Sequence, residues 1–275
     1  MVTENYAMKL EVLCATMNQS DFSKLKQMNI SSNVVFANQT DCYSYAECDF
    51  GIYKAKMIST PTRGVGRNRN IALLHASGDI LLFADDDVHY NDDYREKVLE
   101  AYERFPKADM IIFSMDIVKN GEIIRRISNR NARLSYFSSL KYGTYVCSIR
   151  RSAQQKSNLW FSLLFGGGTN FAHGEDTIFI TDAFKAGLKV YTSEYCLGTC
   201  SKDDSTCFHG YDDKYFFDQG VLYRRLFGWM GVVPAVRFLI KKRKTFGNEF
   251  AFLSALKKMR AGMCFYNTAG VEVVK

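Results

Sequence analysis

The run Gly78-Asp79-Ile80-Leu81-Leu82-Phe83-Ala84-Asp85-Asp86-Asp87 most narrows what this chain can fold into. Its middle is uninterruptedly apolar and reads as a buried β-strand. Three carboxylates in a row at its end have no place in a core. In an open α/β sheet, the carboxyl ends of strands are where ligands sit. Clustered aspartates are hard oxygen donors, suited to Mg²⁺ or Mn²⁺ carrying a phosphate. A solvated turn is the plainer reading, but three adjacent anions repel one another unless something positive is near. Asp85 and Asp87, two apart, share a direction in an extended segment and make the better pair for one ion. Asp86 then points elsewhere, toward sugar hydroxyls.

The rest of the pattern alternates strands and helices. Lys9–Ala15, Asn33–Ala37, Lys56–Ser59, Asp79–Ala84 and Asp109–Val118 read as strands, with Val190–Thr192 a short later one. Ser20 and Asp21 are placed to cap a helix running to about Met28. Gly66–Ala76 reads as a helix with Ile71, Leu73 and Leu74 inward. Asn91-Asp92-Asp93 opens another, whose stripe Tyr94, Val98, Tyr102 and Phe105 has helical spacing. Asp176–Ala186 is a further helix, stopped by Gly187. Such alternation predicts an α/β fold, an α/β/α sandwich on a mainly parallel sheet. The pattern changes after residue 118 and again after 210. Residues 1–118 and 119–210 are expected to form two halves of the same domain. Residues 211–275 are expected to form a helical, basic tail.

Of the 275 residues 47% are hydrophobic, ample for a core and against a disordered chain. The net charge is +7, with 24 basic and 24 acidic residues in 1–210 against 12 and 5 in 211–275, so the tail carries the whole excess. Met1-Val2-Thr3-Glu4-Asn5 lacks the basic and apolar regions of a signal peptide. The longest apolar run, Leu226 to Val236, is short for a bilayer span and broken by glycines and Pro234. The expectation is a cytoplasmic protein with eight reduced cysteines. Cys196, Cys200, Cys207 and His209 match none of the common closed zinc spacings. His209 is left as a lone ligand or phosphate contact, or as a hydrogen-bonded structural histidine.

Two further segments carry chemistry. Arg63-Gly64-Val65-Gly66-Arg67-Asn68-Arg69-Asn70 puts glycines and arginines at a helix start, where backbone N–H groups favour anions. A surface helix with a basic face reads the same way. Gly174-Glu175-Asp176-Thr177 opens a helix just after Gly166-Gly167-Gly168 and amid Trp160, Phe161, Phe165 and Phe171, expected to form an aromatic pocket. Acids in a first turn are ordinary dipole complements. Held ionised in such company, one could take a proton from a sugar hydroxyl. In the tail, Arg224, Arg225, Arg237 and Lys241-Lys242-Arg243-Lys244 interleave with Tyr223, Phe227, Trp229 and Met230. That mixture suits an anionic membrane surface, or a helical pair packed on the domain with a solvated basic face. No nucleic-acid motif accompanies it.

Together these pieces resemble the family 2 glycosyltransferases of the GT-A fold, over about Leu10 to Gly228. Gly66-Arg67-Asn68-Arg69 resembles the family's A-R-N segment, Leu82 to Val88 its D-x-D strand end, and Gly166-Gly167-Gly168 with Glu175-Asp176 its glycine loop and E-D motif. Tyr211 to Asp218 is similar to the C-terminal region of bacterial polysaccharide-building members. The resemblance implies that Ala15, Thr16, Asn18 and Asn38 border the base and ribose and that Arg67 contacts the nucleotide. Asp85, Asp87 and His209 would hold Mg²⁺ or Mn²⁺ on the diphosphate, with Asp86 beside them. Asp176 would be the catalytic base, with Glu175 next to it. The implied reaction is inverting transfer from a nucleotide-diphosphate sugar, with UDP the usual carrier, to a glycan or lipid-linked glycan. Asn38 stands where the family usually carries an acid. The implied place is the cytoplasm, peripheral on the inner face of the membrane. A sugar-phosphate nucleotidyltransferase, or a non-catalytic nucleotide- or carbohydrate-binding protein, would share much of this pattern. Ala15-Thr16-Met17-Asn18-Gln19 lacks the glycine- and arginine-rich loop that the former usually places there.

Overall fold

A computed structural model of the chain describes residues 8–128, 130–201, 210–246 and 251–268. Its strands are β1 (Leu10–Met17), β2 (Asn33–Gln39), β3 (Ser44–Phe50), β4 (Tyr53–Thr60), β5 (Ile80–Asp85), β6 (Val88–Tyr90), β7 (Met110–Lys119), β8 (Glu122–Arg126), β9 (Ala132–Arg133), β10 (Cys147–Arg150) and β11 (Val190–Ser201). The helices are α1 (Lys24–Gln27), α2 (Val65–His75), α3 (Tyr94–Arg104), α4 (Tyr136–Ser139), α5 (Arg151–Lys156), α6 (Glu175–Lys185), α7 (Asp213–Phe227), α8 (Val232–Lys242) and α9 (Phe252–Thr268).

All these strands join one sheet in the order β3-β4-β2-β1-β5-β10-β7-β11-β6, with β8 on β7 and β9 on β11. β4, β2, β1 and β5 pair in parallel, as do β7 and β11. β10 runs antiparallel to both β5 and β7, so the two parallel groups point the same way. The expected sheet is therefore present with an antiparallel strand set into its middle and antiparallel pairs at its edges. Ile80 to Ala84 are wholly buried, as a strand covered on both faces must be. The chain leaves β1 toward β2 on one side and reaches β5 on the other. The crevice where that order reverses opens at the carboxyl ends of β1 and β5.

Some sequence expectations change: the helix expected after Ser20 and Asp21 is the four-residue α1, with Ser23 at its N-cap position. In α2, Leu73 is buried but Leu74 is 69% exposed; the inward face is Gly66, Asn68, Arg69, Ala72 and Leu73. The residues Trp160, Phe161, Phe165 and Phe171 do not form an open aromatic pocket. Phe161 stacks on Phe179 at 4.0 Å and meets Phe83 edge-on, Phe165 and Phe171 pack together, and these four rings are buried with Phe83.

The C-terminal helices belong to the body of the protein. Val221, Leu222 and Leu226 of α7 pack with Phe165, Phe171 and Ile178, joining the helix to the glycine loop and α6. α7 and α9 touch backbone to backbone: a Cβ on Gly220 would lie 2.0 Å from the Met259 carbonyl oxygen, and one on Gly262 2.1 Å from that of Phe217. Only glycine permits that approach. Phe216, Ala235, Leu239 and Met259 then close a small core among α7, α8 and α9.

Candidate active site

At the crevice the β1–β5 register sets Ala15 beside Asp85. Thr16, buried, donates its hydroxyl to Asp86 Oδ2 at 2.5 Å, and Lys24 donates to the Asp86 carbonyl at 3.1 Å. Asn68 of α2 donates to the carbonyls of both Thr16 (3.1 Å) and Ala37 (2.7 Å), tying the ends of β1 and β2. Its Oδ1 is buried and unpaired. Asn18 is exposed with φ of +55° and donates its backbone N–H to the Gln39 carbonyl. Asn38 is fully buried. Its Oδ1 accepts from the Gln19 N–H, and its Nδ2 donates to the Gln19 carbonyl and to Ser59 Oγ. Asn38 thus braces the turn after β1 through Gln19.

The three aspartates do not continue as an extended strand. β5 ends at Asp85, and Asp86 and Asp87 make a turn into β6. Asp85 reaches toward α2, Asp86 toward Thr16, and Asp87 is exposed, taking a weak bond from Cys200 Sγ at 3.5 Å. The shared direction expected for Asp85 and Asp87 rested on an extended backbone that a turn replaces.

The centre of the site is Arg69, whose side chain is 3% exposed. Its Nη2 donates to Asp85 Oδ1 at 2.7 Å and its Nη1 to Asp176 Oδ1 at 2.7 Å, with Glu175 Oε1 at 3.4 Å. Burial opposes the guanidinium charge, but Asp176, Asp85 and Glu175 outweigh it and hold its pKa above the ordinary arginine value. The ring of Phe161 lies beneath the guanidinium at 5.3 Å. Arg67, which the family resemblance assigns to the nucleotide, is exposed and makes no hydrogen bond or ion pair among the described residues, and the buried Arg69 was not singled out from the sequence. The signal lay in helical phase: Gly66, Arg69 and Leu73 fall at i, i+3 and i+7 on the buried face. Asn70 completes the second pair, exchanging hydrogen bonds with the backbone N–H and carbonyl of Phe161.

Glu175 and Asp176 occupy the first turn of α6, after Gly174. Asp176 Oδ1 also accepts from Thr144 Oγ1, a residue no sequence motif singled out; among the described residues its Oδ2 has no hydrogen bond, and the side chain is 25% exposed. Glu175 lies deeper, against Gly166, where any Cβ would come 2.9 Å from its carboxylate. Burial, then the charge of Asp176, against the pull of Arg69, push Glu175 up to about 7. The glycine loop also meets α2: the Val65 N–H donates to the Gly167 carbonyl at 3.1 Å. Tyr145 stands close by, its hydroxyl pushed up by burial and by the charges of Cys200, Asp85 and Asp176.

The donor chemistry fits a divalent cation on a diphosphate. The acids are hard oxygen donors, and Arg69 offsets one charge of the three it touches. Among the described residues no three acids, histidines or cysteines converge into a complete cage. An ion there would draw its remaining ligands from phosphate and water, as Mg²⁺ commonly does. His209 and Cys207 lie outside the described residues. Cys196 and Cys200 form no disulfide among the described residues.

Arg69 thus bridges the carboxylate turn at the switch point of the sheet to the acidic first turn of α6. The sequence profile of Glycosyl transferase family 2 matches residues 42–195, more than half of the chain, and the chain belongs to that family. It is a glycosyltransferase with the GT-A fold. Solved structures of S. aureus TarS share the fold. The TarS 1–349 complex with UDP-GlcNAc superposes with a TM-score of 0.59 at 14% identity, covering 95% of this chain and 92% of that one. The complex with UDP gives 0.61 at 13%, covering 98% and 93%. Against the longer TarS structure the TM-score is 0.60 at 15% identity, and this chain spans 54% of it. Comparison with curated protein sequences gives no match.

Proposed function

We propose that this chain moves a sugar, with inversion, from a UDP-sugar to a hydroxyl of a glycan or lipid-linked glycan, with Asp176 as the base. The observation that carries the reading is the double contact of Arg69. One guanidinium touches Asp85 of the carboxylate turn and Asp176 of the E-D motif, so the expected diphosphate site and proton acceptor share one cleft. The TarS structures with UDP-GlcNAc and UDP, alike in fold, support the choice of donor.

In this reading Ala15, Thr16 and Asn18 border the nucleoside, with Asn38 holding the turn beneath it and Arg67 free to meet the nucleotide from its exposed face. Asp86, steadied by Thr16, faces the ribose. Asp85 and Asp87, with His209, would hold Mg²⁺ or Mn²⁺. Bound there, the cation would offset charge developing on the departing diphosphate. Asp176 Oδ2 accepts the acceptor's hydroxyl proton as the new C–O bond forms. The bond from the anomeric carbon to the diphosphate breaks, and its electron pair leaves with UDP. Thr144 and Arg69 fix the other carboxylate oxygen and so aim Oδ2. Glu175, pushed up to about 7, holds a proton on the acid side of neutrality and there limits the negative charge beside Asp176. Residues 1–118 would serve the donor and 119–210 the acceptor. Residues 211–275 would hold the enzyme to the inner face of the cytoplasmic membrane.

A panel of nucleotide sugars with Mn²⁺ tests the proposal. The expected product is free UDP from one donor, by slow hydrolysis without acceptor. Release of pyrophosphate instead would indicate a nucleotidyltransferase, and no turnover of any donor would overturn the transferase assignment at this site.

A further inference from the structure

We infer that the turn Gly228–Gly231 and the outer face of α8 form a docking surface for a bilayer of anionic glycerophospholipid. The inference rests on the proposed lipid-side acceptor only for its biological use; its geometry stands apart from the catalytic cleft. α8 is apolar on two sides. Ala235 and Leu239 are fully buried against α7 and α9. On the other side Val233 is 72% and Ile240 64% exposed, and the turn before the helix presents Trp229 and Met230 to solvent, Trp229 at 79%. Side chains of this size are seldom left out together on a surface that meets only water.

The charges on the same face name the occupant. Val233, Arg237, Ile240 and Lys244 are spaced i, i+4, i+7 and i+11, one stripe along the helix and the turn that follows it. Lys241 and Arg243 stand to either side of that stripe, and Lys242 closes the exposed end of the helix. From Gly228 to Phe246 these five cations stand without a single acid. None of the five makes an ion pair or hydrogen bond among the described residues, and all are exposed. Elsewhere the protein pairs its cations readily: Arg225 with Asp182, Lys214 with Asp218, Lys258 with Asp213. A protein partner would require a matching acidic and apolar surface. A bilayer of anionic lipid offers both at once: apolar chains for Trp229, Met230, Val233 and Ile240, and phosphates for the cations around them. No helix among the described residues is long and apolar enough to cross a membrane, so the contact would lie in the plane of the interface.

The test is flotation of the full chain with vesicles of phosphatidylcholine alone and with 30 mol% phosphatidylglycerol, without donor or acceptor. Binding is expected only to the anionic vesicles and is expected to fall at least tenfold in 0.5 M NaCl. Replacing Lys241, Lys242, Arg243 and Lys244 by Glu should weaken it about a hundredfold or more. The double substitution Trp229→Ala and Val233→Ser should weaken it at least tenfold while leaving donor hydrolysis and the melting temperature unchanged. Absence of binding to anionic vesicles, or binding indifferent to both variants, would overturn the inference. So would a dimer on size exclusion that Trp229→Ala dissolves, which would assign the face to a second copy of the chain. Vesicle binding is read without catalysis, so a failed transferase assignment would leave this result standing, and the reverse.

Discussion

Arg69 Nη1 lies 2.7 Å from Asp176 Oδ1, while the other end of the same guanidinium holds Asp85 at the same distance. The position that steers the proposed base is thus the one that senses charge at the proposed diphosphate site. Replacing Arg69 by Met would leave Asp85, Glu175 and Asp176 without their counter-charge. The expected cost is about 3–5 kcal/mol of stability in urea denaturation. Full stability of that variant would show that the cluster relaxes without its cation.

Asp176→Asn keeps the shape of the side chain and its bond from Thr144 but cannot take a proton. Transfer is expected to fall by 10³ or more, with the affinity for UDP-sugar, read by calorimetry, changed less than threefold. Equal loss of both would assign Asp176 to binding.

Glu175 gives a pH signature. Its usual value of 4.5 is raised to about 7 in the fold. Between those values the native protein holds a proton that the unfolded chain has released. This contribution to stability is complete below about pH 4.5 and disappears as pH rises through 7, up to about 3 kcal/mol in all. In metal-free buffer, the stability of the wild type relative to Glu175→Gln should decline from pH 5 to pH 8. A flat difference would show that Glu175 is ionised throughout.

Chelation should abolish transfer, and Mg²⁺ or Mn²⁺ should restore it. Asp87 is the exposed member of the carboxylate turn, so Asp87→Asn should raise the metal concentration for half-activation at least tenfold while leaving stability within about 0.5 kcal/mol. An unchanged metal requirement would remove Asp87 from the ligand set.

The central strands and the order of the motifs could be read from the chain because burial on both faces and clustered acids leave strong local marks. β5, α3 and α6 are where periodicity and capping residues place them. β3 escaped because five of its seven residues are exposed, so no alternation marks it. β10 has four residues and follows a 3₁₀ turn, Thr144–Val146. β11 runs nine residues past Thr192 because irregularities between Thr192, Cys196 and Thr199 break its register. Arg69 was within reach of helical phase, which the family resemblance, resting on Arg67, does not use. Thr144 carried no signal, because only the folded sheet brings it under α6.

The loop that precedes the E-D motif is pinned at both ends. Asn70 of α2 grips Phe161, and Asp218 of α7, itself bound by Lys214, accepts the N–H of Ala172 at 3.0 Å. The tail is therefore an abutment for that loop. A chain cut before α7 would release the far end of the loop on which Gly166 and Glu175 rest. Loss of turnover after such a cut would say nothing about lipid, and attachment and catalysis can be separated only by point changes on the outer surface of α8.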